Sequence, residues 1–240
     1  MPTMPRLLLV EDDAVTAQFL TEALTALPAE VFHAGGARRA RTLMQAIGGV
    51  DVWLLDANLP DGSGEDLLAT LRALHGTTTP AIALTADPTP ARRQALLAAG
   101  FAEVLTKPLS STMLHAALRH RLAGPRAGRR IRETPPDDAG PCWLDDEAAL
   151  RAAGGRRESV DALRALFARE LPLDQGRVRE AFEAGRREAL VEVLHRLKAS
   201  CGFVGAAALL DAVNALAQAP GDASLLARFD LACRSTLERL

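Results

Sequence analysis

The sequence has few cysteines and no long apolar run, and each scarcity excludes a class of protein. Three cysteines among 240 residues, at positions 142, 201 and 233, lack the spacing of a metal-binding motif. An odd, sparse set is typical of a reducing compartment rather than of a disulfide scaffold. No apolar stretch approaches the roughly 20 residues of a membrane span, and the apolar run 7–10 is too short for a signal peptide. We therefore expect a cytoplasmic protein that does not cross a membrane.

Charge and aromatic content restrict the partners and the kind of core. The formal net charge is -2, so the chain as a whole lacks the basic surface that nucleic acids and anionic membranes attract. Tyrosine is absent and aromatic residues make up 4% of the chain, so the core must be aliphatic and rich in alanine. Arginine supplies nearly all the positive charge, because lysine occurs only at positions 107 and 198.

Short apolar runs alternate with amphipathic segments through the first half of the chain. This alternation predicts a doubly wound α/β domain, with a parallel five-stranded sheet covered by helices on both faces. The predicted strands are 7–10, 30–34, 52–56, 81–85 and 103–106.

The character of the chain changes in the second half. Proline, glycine and charged residues dominate 123–143, which predicts a linker between a domain at 1–122 and another at 144–240. If flexible, such a linker has an r.m.s. reach of roughly 25 Å. The last segment has no strand pattern and predicts an all-helical, four-helix bundle. Its helices are expected to end at Gly154, Pro172, Gly185 and Pro220.

Polar side chains follow four of the predicted strands. Because the carboxyl ends of parallel strands meet at one edge of a sheet, these side chains should lie together. Clustered carboxylates repel unless a cation neutralises them, and oxygen ligands suit Mg²⁺. The edge therefore predicts a Mg²⁺ site able to support phosphoryl transfer, against the alternative of an ordinary acidic loop. The residues are Glu11, Asp12 and Asp13 after the first strand, Asp56 at the end of the third, Thr85 at the end of the fourth and Lys107 after the fifth.

The motifs VEDD, DxxLPDGSG, ALTA and LTKP, within about residues 5–122, resemble the receiver domain of two-component response regulators. The resemblance implies that Asp56 accepts a phosphoryl group in the presence of Mg²⁺. It also implies roles for the neighbouring residues and a cis peptide bond before Pro108. The implied metal ligands are Asp12 directly, Glu11 through water, Asp56 and the backbone carbonyl of Asn58, and the implied phosphoryl contacts are Thr85 and Lys107.

One position departs from the receiver pattern. Many receivers carry an aromatic residue three positions before the lysine, where this chain has Val104. We therefore hypothesise that this receiver passes or stores phosphate more than it signals by changing shape. Asp87, two residues after Thr85, could orient an attacking water, so we expect a phospho-aspartate lifetime of minutes or less.

A helical pattern surrounds one histidine of the second half. Five apolar residues recur at i, i+4, i+7, i+11 and i+14 and predict one buried stripe. His195 lies roughly 140° from that stripe, so we expect it to project from the bundle with Ala199 and Gly202 on its face and Lys198 beside it. The stripe comprises Leu190, Leu194, Leu197, Cys201 and Val204.

A solvated helix residue is the ordinary interpretation of a lone histidine, but its neighbours favour a reactive one. The stretch HRLKASCGFVGA, within about residues 144–240, resembles the signature of histidine phosphotransfer (Hpt) domains. The resemblance implies that His195 is phosphorylated and that Lys198 is its electrostatic partner. Ala199 stands where glycine is commonest, and Gly205 matches the later glycine of the signature.

The two resemblances together predict a two-component phosphorelay protein. Expected partners are a sensor or hybrid histidine kinase and other receiver domains. The chain has no phosphate-binding P-loop motif, so we expect no kinase or other enzyme activity of its own. One alternative is a regulatory receiver whose helical domain binds a partner without being phosphorylated. A transcription factor is disfavoured because the last helices carry no basic recognition face.

Overall fold

A computed structural model describes residues 4–76, 78–122 and 144–240. The predicted linker 123–143, which includes Cys142, lies outside the described residues. The chain divides into two compact units, and each is described by itself.

The first unit is built on a parallel sheet of five strands. In space the strands run β2-β1-β3-β6-β7, the order of a doubly wound fold, and the predicted strands and fold class are confirmed. A two-stranded antiparallel hairpin, β4–β5, was not predicted, because two-residue strands carry no periodicity. The strands are β1 (Arg6–Val10), β2 (Glu30–Ala34), β3 (Val52–Asp56), β4 (Asn58–Leu59), β5 (Gly62–Ser63), β6 (Ala81–Thr85) and β7 (Glu103–Thr106).

Five helices flank the sheet. Helix α1 contacts α5, and α2 contacts α3. The side chains of Asp13, Ser63 and Thr89 cap the first turns of α1, α3 and α4 by accepting backbone N–H bonds. The helices are α1 (Ala14–Thr25), α2 (Ala37–Ile47), α3 (Gly64–His75), α4 (Pro90–Ala98) and α5 (Ser111–Leu122).

The centre of the sheet is apolar up to its carboxyl edge, where Asp56 and Thr85 end β3 and β6. Every residue of β3 and β6 is buried, as expected for parallel strands covered on both faces. Parallel register pairs Val10 with Leu55 and Asp56 with Leu84. The residues that follow these strands are therefore brought to one edge.

The second unit is helical throughout its described residues, 144–240. Four helices contact one another in a closed ring, α7 to α8 to α9 to α10 and back to α7, and the short α6 packs on α7 and α8. This is the predicted four-helix bundle. The helices are α6 (Asp146–Ala152), α7 (Arg157–Glu183), α8 (Arg187–Val204), α9 (Ala207–Gln218) and α10 (Ala223–Leu237).

Pro172 does not end a helix, contrary to the prediction. It lies inside α7, which continues for eleven further residues to Glu183. A proline removes one backbone donor and costs about 3 kcal/mol within a helix. Burial of apolar residues on both sides of it, among them Leu171 and Val178, offsets that cost. Tertiary packing therefore overrides the local signal.

Candidate functional site

Three carboxylates meet at the carboxyl edge of the sheet. Oxygen atoms of Glu11, Asp12 and Asp56 all lie within 4.8 Å of one another. Glu11 and Asp56 are buried and Asp12 is half-buried. The cause is topological, since β1 and β3 are adjacent parallel strands whose last residues lie side by side. The predicted clustering of these side chains is therefore present.

Lys107, which follows β7, reaches into the cluster from the other side. Its Nζ donates a hydrogen bond to Oδ2 of Asp56 at 2.7 Å and another to Oε2 of Glu11. The side chain is 4% exposed, so this ion pair is shielded from water. The contact between Lys107 and Glu11 was not foreseen from the sequence, which gives no distance between strand ends.

The electrostatics of the cluster are unbalanced, because three carboxylates face one ammonium. Burial raises the pKa of the Glu11 carboxyl well above its usual range; Lys107 opposes this rise and Asp56 adds to it. Burial lowers the pKa of Lys107, but Glu11 and Asp56 outweigh it and hold the net pKa above its usual value. Lys107 is therefore charged, and the site still favours a further cation.

Thr85 lies at the end of β6 and is buried. Its Oγ1 accepts a hydrogen bond from the backbone N–H of Asp87 at 3.1 Å. Its carbonyl accepts the backbone N–H of Lys107 at 2.7 Å, which ties the two strand ends together. The peptide bond between Lys107 and Pro108 is cis, as the resemblance implied.

Asn58 begins the small hairpin that follows the phosphoacceptor candidate. Its backbone N–H donates to Oδ1 of Asp56 at 3.1 Å. The hairpin pairs Asn58 with Ser63 and Leu59 with Gly62. The backbone of Asn58 is thus held beside the acidic cluster by Asp56 and by the hairpin.

The donor set fits a hard divalent cation. The carboxylates of Glu11, Asp12 and Asp56 supply oxygen atoms only, which suits Mg²⁺ and not the softer ions that prefer thiolate or imidazole. Mg²⁺ retains several waters, so a few protein oxygens are sufficient. The net negative charge of the cluster adds to this preference.

His33, near the end of β2, contacts this edge and was not singled out from the sequence. Its Nε2 lies 2.9 Å from the backbone carbonyl oxygen of Glu11. The residue itself is exposed. The sequence shows only that His33 lies near the end of a predicted strand, and that position does not identify its hydrogen-bond partner.

Helix α8 carries the histidine of the second unit. The five residues of the predicted stripe are all buried, which confirms that face. The buried surface is wider than the stripe, because α6, α7 and α9 all contact α8. Val193, Ala199, Ser200 and Phe203 are buried as well.

His195 does not project fully from the bundle, and this part of the prediction is corrected. The residue is half-buried, and its Nδ1 atom is shielded from solvent. Ala199, expected on the same open face, is 2% exposed and packs inward. Lys198 and Gly202 are half-buried. Small residues therefore adjoin the imidazole, but packing around α8 leaves a narrower opening than the helical wheel indicates.

Gly205 has a structural role at the end of α8. It caps the helix in the left-handed conformation, with φ at 74°. A Cβ atom at this position would collide with the backbone oxygen of Asp145. The backbone N–H of Asp145 donates a hydrogen bond to the Gly205 carbonyl at 2.7 Å. Arg164 reinforces the same end, since its Nε donates to the Val204 carbonyl at 3.1 Å. The second unit thus depends on Gly205 for packing of its first helix.

Two family models match the two units. The model described as "Response regulator receiver domain" matches residues 7–119, and the model described as "Hpt domain" matches residues 162–240. The chain joins a receiver domain to an Hpt domain. Both resemblances drawn from the sequence are thereby confirmed, and the two units are modules of phosphotransfer signalling.

Curated relatives are similar to this chain over part of their own length. The chain is 30% identical over 159 residues to "Signal transduction histidine-protein kinase BarA" of Escherichia coli (strain K12), covering 65% of this chain and 17% of BarA. It is 28% identical over 211 residues to "Sensor histidine kinase GacS" of Pseudomonas protegens, covering 84% of this chain and 23% of GacS. The chain thus spans a small part of these relatives. Its receiver and Hpt domains are of the kinds that serve two-component phosphorelay signalling.

Solved receiver structures are also similar to part of the chain. The chemotaxis protein CheY4 of Vibrio cholerae gives a TM-score of 0.47 at 27% identity, covering 50% of this chain and all of that one.

Among the helices within the described ranges, none has both the length and the apolarity that a bilayer span requires.

Proposed function

We propose that Asp56 of the receiver domain is the phosphoacceptor and that Glu11, Asp12, Asp56 and the Asn58 carbonyl hold Mg²⁺. The observation that supports this most strongly is the meeting of three carboxylates and one ammonium at one strand edge. Bound there, Mg²⁺ would neutralise the charge that gathers on the phosphoryl oxygens during transfer.

Lys107 and Thr85 act on the phosphoryl group in this proposal. The Lys107 ammonium pairs with the Asp56 carboxylate in the unphosphorylated domain, with its Nζ 2.7 Å from Oδ2. It can turn to a phosphoryl oxygen once Asp56 is phosphorylated. The Thr85 hydroxyl can donate to a second oxygen while it accepts the Asp87 N–H. Asp87 remains our candidate for orienting the water that hydrolyses the product.

His195 of the Hpt domain accepts and donates the phosphoryl group in the second half of the proposal. Neutral imidazole is a nucleophile near pH 7, and Lys198, one helical turn on, can neutralise the incoming group. The transfer breaks the P–O bond to an aspartate, which leaves as a carboxylate, and forms a P–N bond to the imidazole; the reverse step breaks the P–N bond and re-forms the P–O bond. Because His195 is half-buried, we expect a partner whose cleft closes around the exposed part of the imidazole.

We also infer that the receiver relays phosphate more than it transmits a shape change. Val104 is buried where an aromatic switch residue would stand, and its carbonyl accepts a hydrogen bond from Arg93 Nη1 of α4 at 2.8 Å. Arg92 on the same helix forms a two-bond ion pair with Glu65 of α3. Both contacts restrain α4 against its neighbours.

The remaining proposals concern boundaries and partners. We propose a receiver domain at 1–122, a linker at 123–143 and an Hpt domain at 144–240, in a cytoplasmic protein without kinase activity of its own. The phosphate then comes from a sensor or hybrid histidine kinase or from a small acyl phosphate, and leaves to another receiver domain. The similarity to BarA and GacS, which are named as histidine kinases, supports such partners.

A phosphotransfer profile tests these proposals. Purified candidate kinases are incubated with labelled ATP and with the full chain, its Asp56→Ala form or its His195→Gln form. Loss of label in one variant assigns the site that each kinase uses. If the helical domain only binds a partner, His195→Gln leaves both binding and label transfer unchanged, which would contradict the Hpt role. A dilution series shows the route, because intramolecular transfer is independent of protein concentration.

A further inference from the structure

Asp61 occupies the turn of the small hairpin and reaches across to a different segment of the receiver. Its Oδ1 accepts the backbone N–H of Ala37 at 2.7 Å, and its Oδ2 accepts the backbone N–H of Arg38 at 2.9 Å. The Arg38 Nε lies 3.5 Å from the same Oδ2. One carboxylate thus satisfies two free donors at the first turn of α2.

Helix α2 needs this carboxylate because its own N-cap residue has no side chain that could accept a hydrogen bond. The N-cap residue is Gly36, which has no side chain to accept the first N–H groups. The negative charge also lies at the positive end of the helix dipole. The hydrogen bond from the Arg38 backbone N–H has the largest effect and lowers the pKa of Asp61; burial opposes it, and the hydrogen bond from the Ala37 backbone N–H adds to the net lowering.

Gly36 leaves room for the contact. A Cβ atom at this position would stand 2.9 Å from Oδ1 of Asp61, closer than ordinary packing permits. Its backbone is extended, with φ at 165°, so the conformation itself does not demand glycine. The requirement at Gly36 is space for the Asp61 carboxylate.

The hairpin joins this contact to the acidic cluster. Asp61 lies between Leu59 and Gly62, which pair with each other, and the next pair is Asn58 with Ser63. Asn58 is the residue whose carbonyl we assign to the metal, and its N–H donates to Asp56. Fixing the turn at Asp61 therefore restrains the backbone at the other end of the same hairpin.

We propose that Asp61 is a positioning residue for the magnesium site, clamping the hairpin to α2 so that the Asn58 carbonyl is held ready for the cation. The inference rests on the proposed function of Glu11, Asp12 and Asp56. Outer contacts of this kind typically alter metal affinity by 10–100-fold when they are lost. Since the clamp acts through one backbone ligand, we expect a change near the lower limit.

The test is a MgCl₂ titration of the full chain, followed by the ¹⁵N amide shifts of Ala57 and Asn58. Asp61→Asn retains one acceptor oxygen and loses the other, and Gly36→Ala displaces the carboxylate without removing it. Both should bind Mg²⁺ about tenfold more weakly than the natural chain. Thr42→Ala is the matched control: it removes a hydrogen bond to the Arg38 carbonyl within α2 but leaves Asp61 in place, so its affinity should be unchanged.

The outcomes separate the two hypotheses. Equal affinity in the natural chain, Asp61→Asn and Gly36→Ala would overturn the clamp, even if the variants were less stable, since a purely structural role lowers stability without changing the affinity of the folded form. If Asp61→Asn does not fold, Gly36→Ala alone decides. No response of the natural chain to MgCl₂ would instead contradict the proposed metal site.

Discussion

The ammonium nitrogen of Lys107 lies 2.7 Å from Oδ2 of Asp56, although 51 residues separate them in the chain. The same ammonium contacts Glu11, so one buried cation pairs with two buried carboxylates. Removal of the one cation from such a group leaves unpaired carboxylates, which is costly in a site that excludes water. The site is therefore coupled to the stability of the receiver.

Lys107→Met should lower the free energy of unfolding of the receiver by about 3 kcal/mol, because two buried carboxylates lose their cation. Asp56→Asn should raise it, because the acidic cluster then carries one charge fewer. Urea denaturation followed by Trp53 fluorescence measures both, in a Trp143→Phe background so that one tryptophan reports. A Lys107→Met variant as stable as the natural chain would refute the coupling.

The acid stability of the Hpt domain should depend on Asp230. Burial acts to raise its pKa, but hydrogen bonds from Arg179 and Gln175 outweigh burial and lower the pKa below its usual value. A carboxyl with a depressed pKa in the folded state stabilises above its unfolded pKa, and the stabilisation is lost as the pH falls through the folded pKa.

Asp230→Asn should therefore lower the free energy of unfolding of the bundle at neutral pH. Below about pH 4 the free energy of unfolding of this variant should fall less steeply with pH than that of the natural chain. Thermal unfolding of the second unit between pH 2 and pH 7 measures the effect, over a window of about five pH units. Asp211→Asn is the control, since Asp211 is exposed on α9 and should leave the profile unchanged. Parallel profiles for the natural chain and Asp230→Asn would exclude this role.

The ring nitrogen that carries phosphate on His195 should be Nε2. The Nδ1 atom is shielded from solvent within the half-buried side chain, so an in-line approach to it is obstructed. Two-dimensional ¹H–¹⁵N spectra of the phosphorylated imidazole distinguish the two isomers, with Asp56→Ala used so that label resides on one site. A phosphorus coupling to Nδ1 would show that the ring turns or the bundle opens.

Activation of the receiver should leave the surface formed by α4 and β7 almost unchanged. Val104 cannot rotate as an aromatic side chain would, and Arg93 and the Arg92–Glu65 ion pair restrain α4. Addition of beryllofluoride with Mg²⁺ should shift amide resonances around Asp56 and Thr85 but produce small shifts on α4. Large amide shifts across α4 and β7 would mean that the domain signals through a conformational change of this surface.

The strands and the carboxyl-edge cluster were predictable because both follow from short-range patterns. Continuous apolar runs predict buried parallel strands, and parallel topology then brings the residues after Val10, Leu55 and Leu84 to one edge. The spacing of Leu190, Leu194 and Leu197 likewise identified the buried face of α8. No distances were needed for either inference.

The rest depends on tertiary packing, which periodicity does not encode. Pro172 lies inside a helix because the bundle buries residues on both sides of it. Ala199 is buried because helices contact α8 from several directions. The partners of Asp61 are backbone N–H groups 24 and 23 residues away, which no local pattern reveals.

The chemical location of the phosphoryl group tests the central claim most directly. The full chain is loaded with ³²P-acetyl phosphate and Mg²⁺, and the label is sorted by its stability, since acyl phosphates are lost in alkali, whereas phosphohistidine survives alkali and is lost in acid. We predict alkali-labile label that disappears in Asp56→Ala, and alkali-stable, acid-labile label that disappears in His195→Gln. Label that persists in both variants, or that never reaches either residue from this donor or from any histidine kinase, would contradict the phosphorelay mechanism.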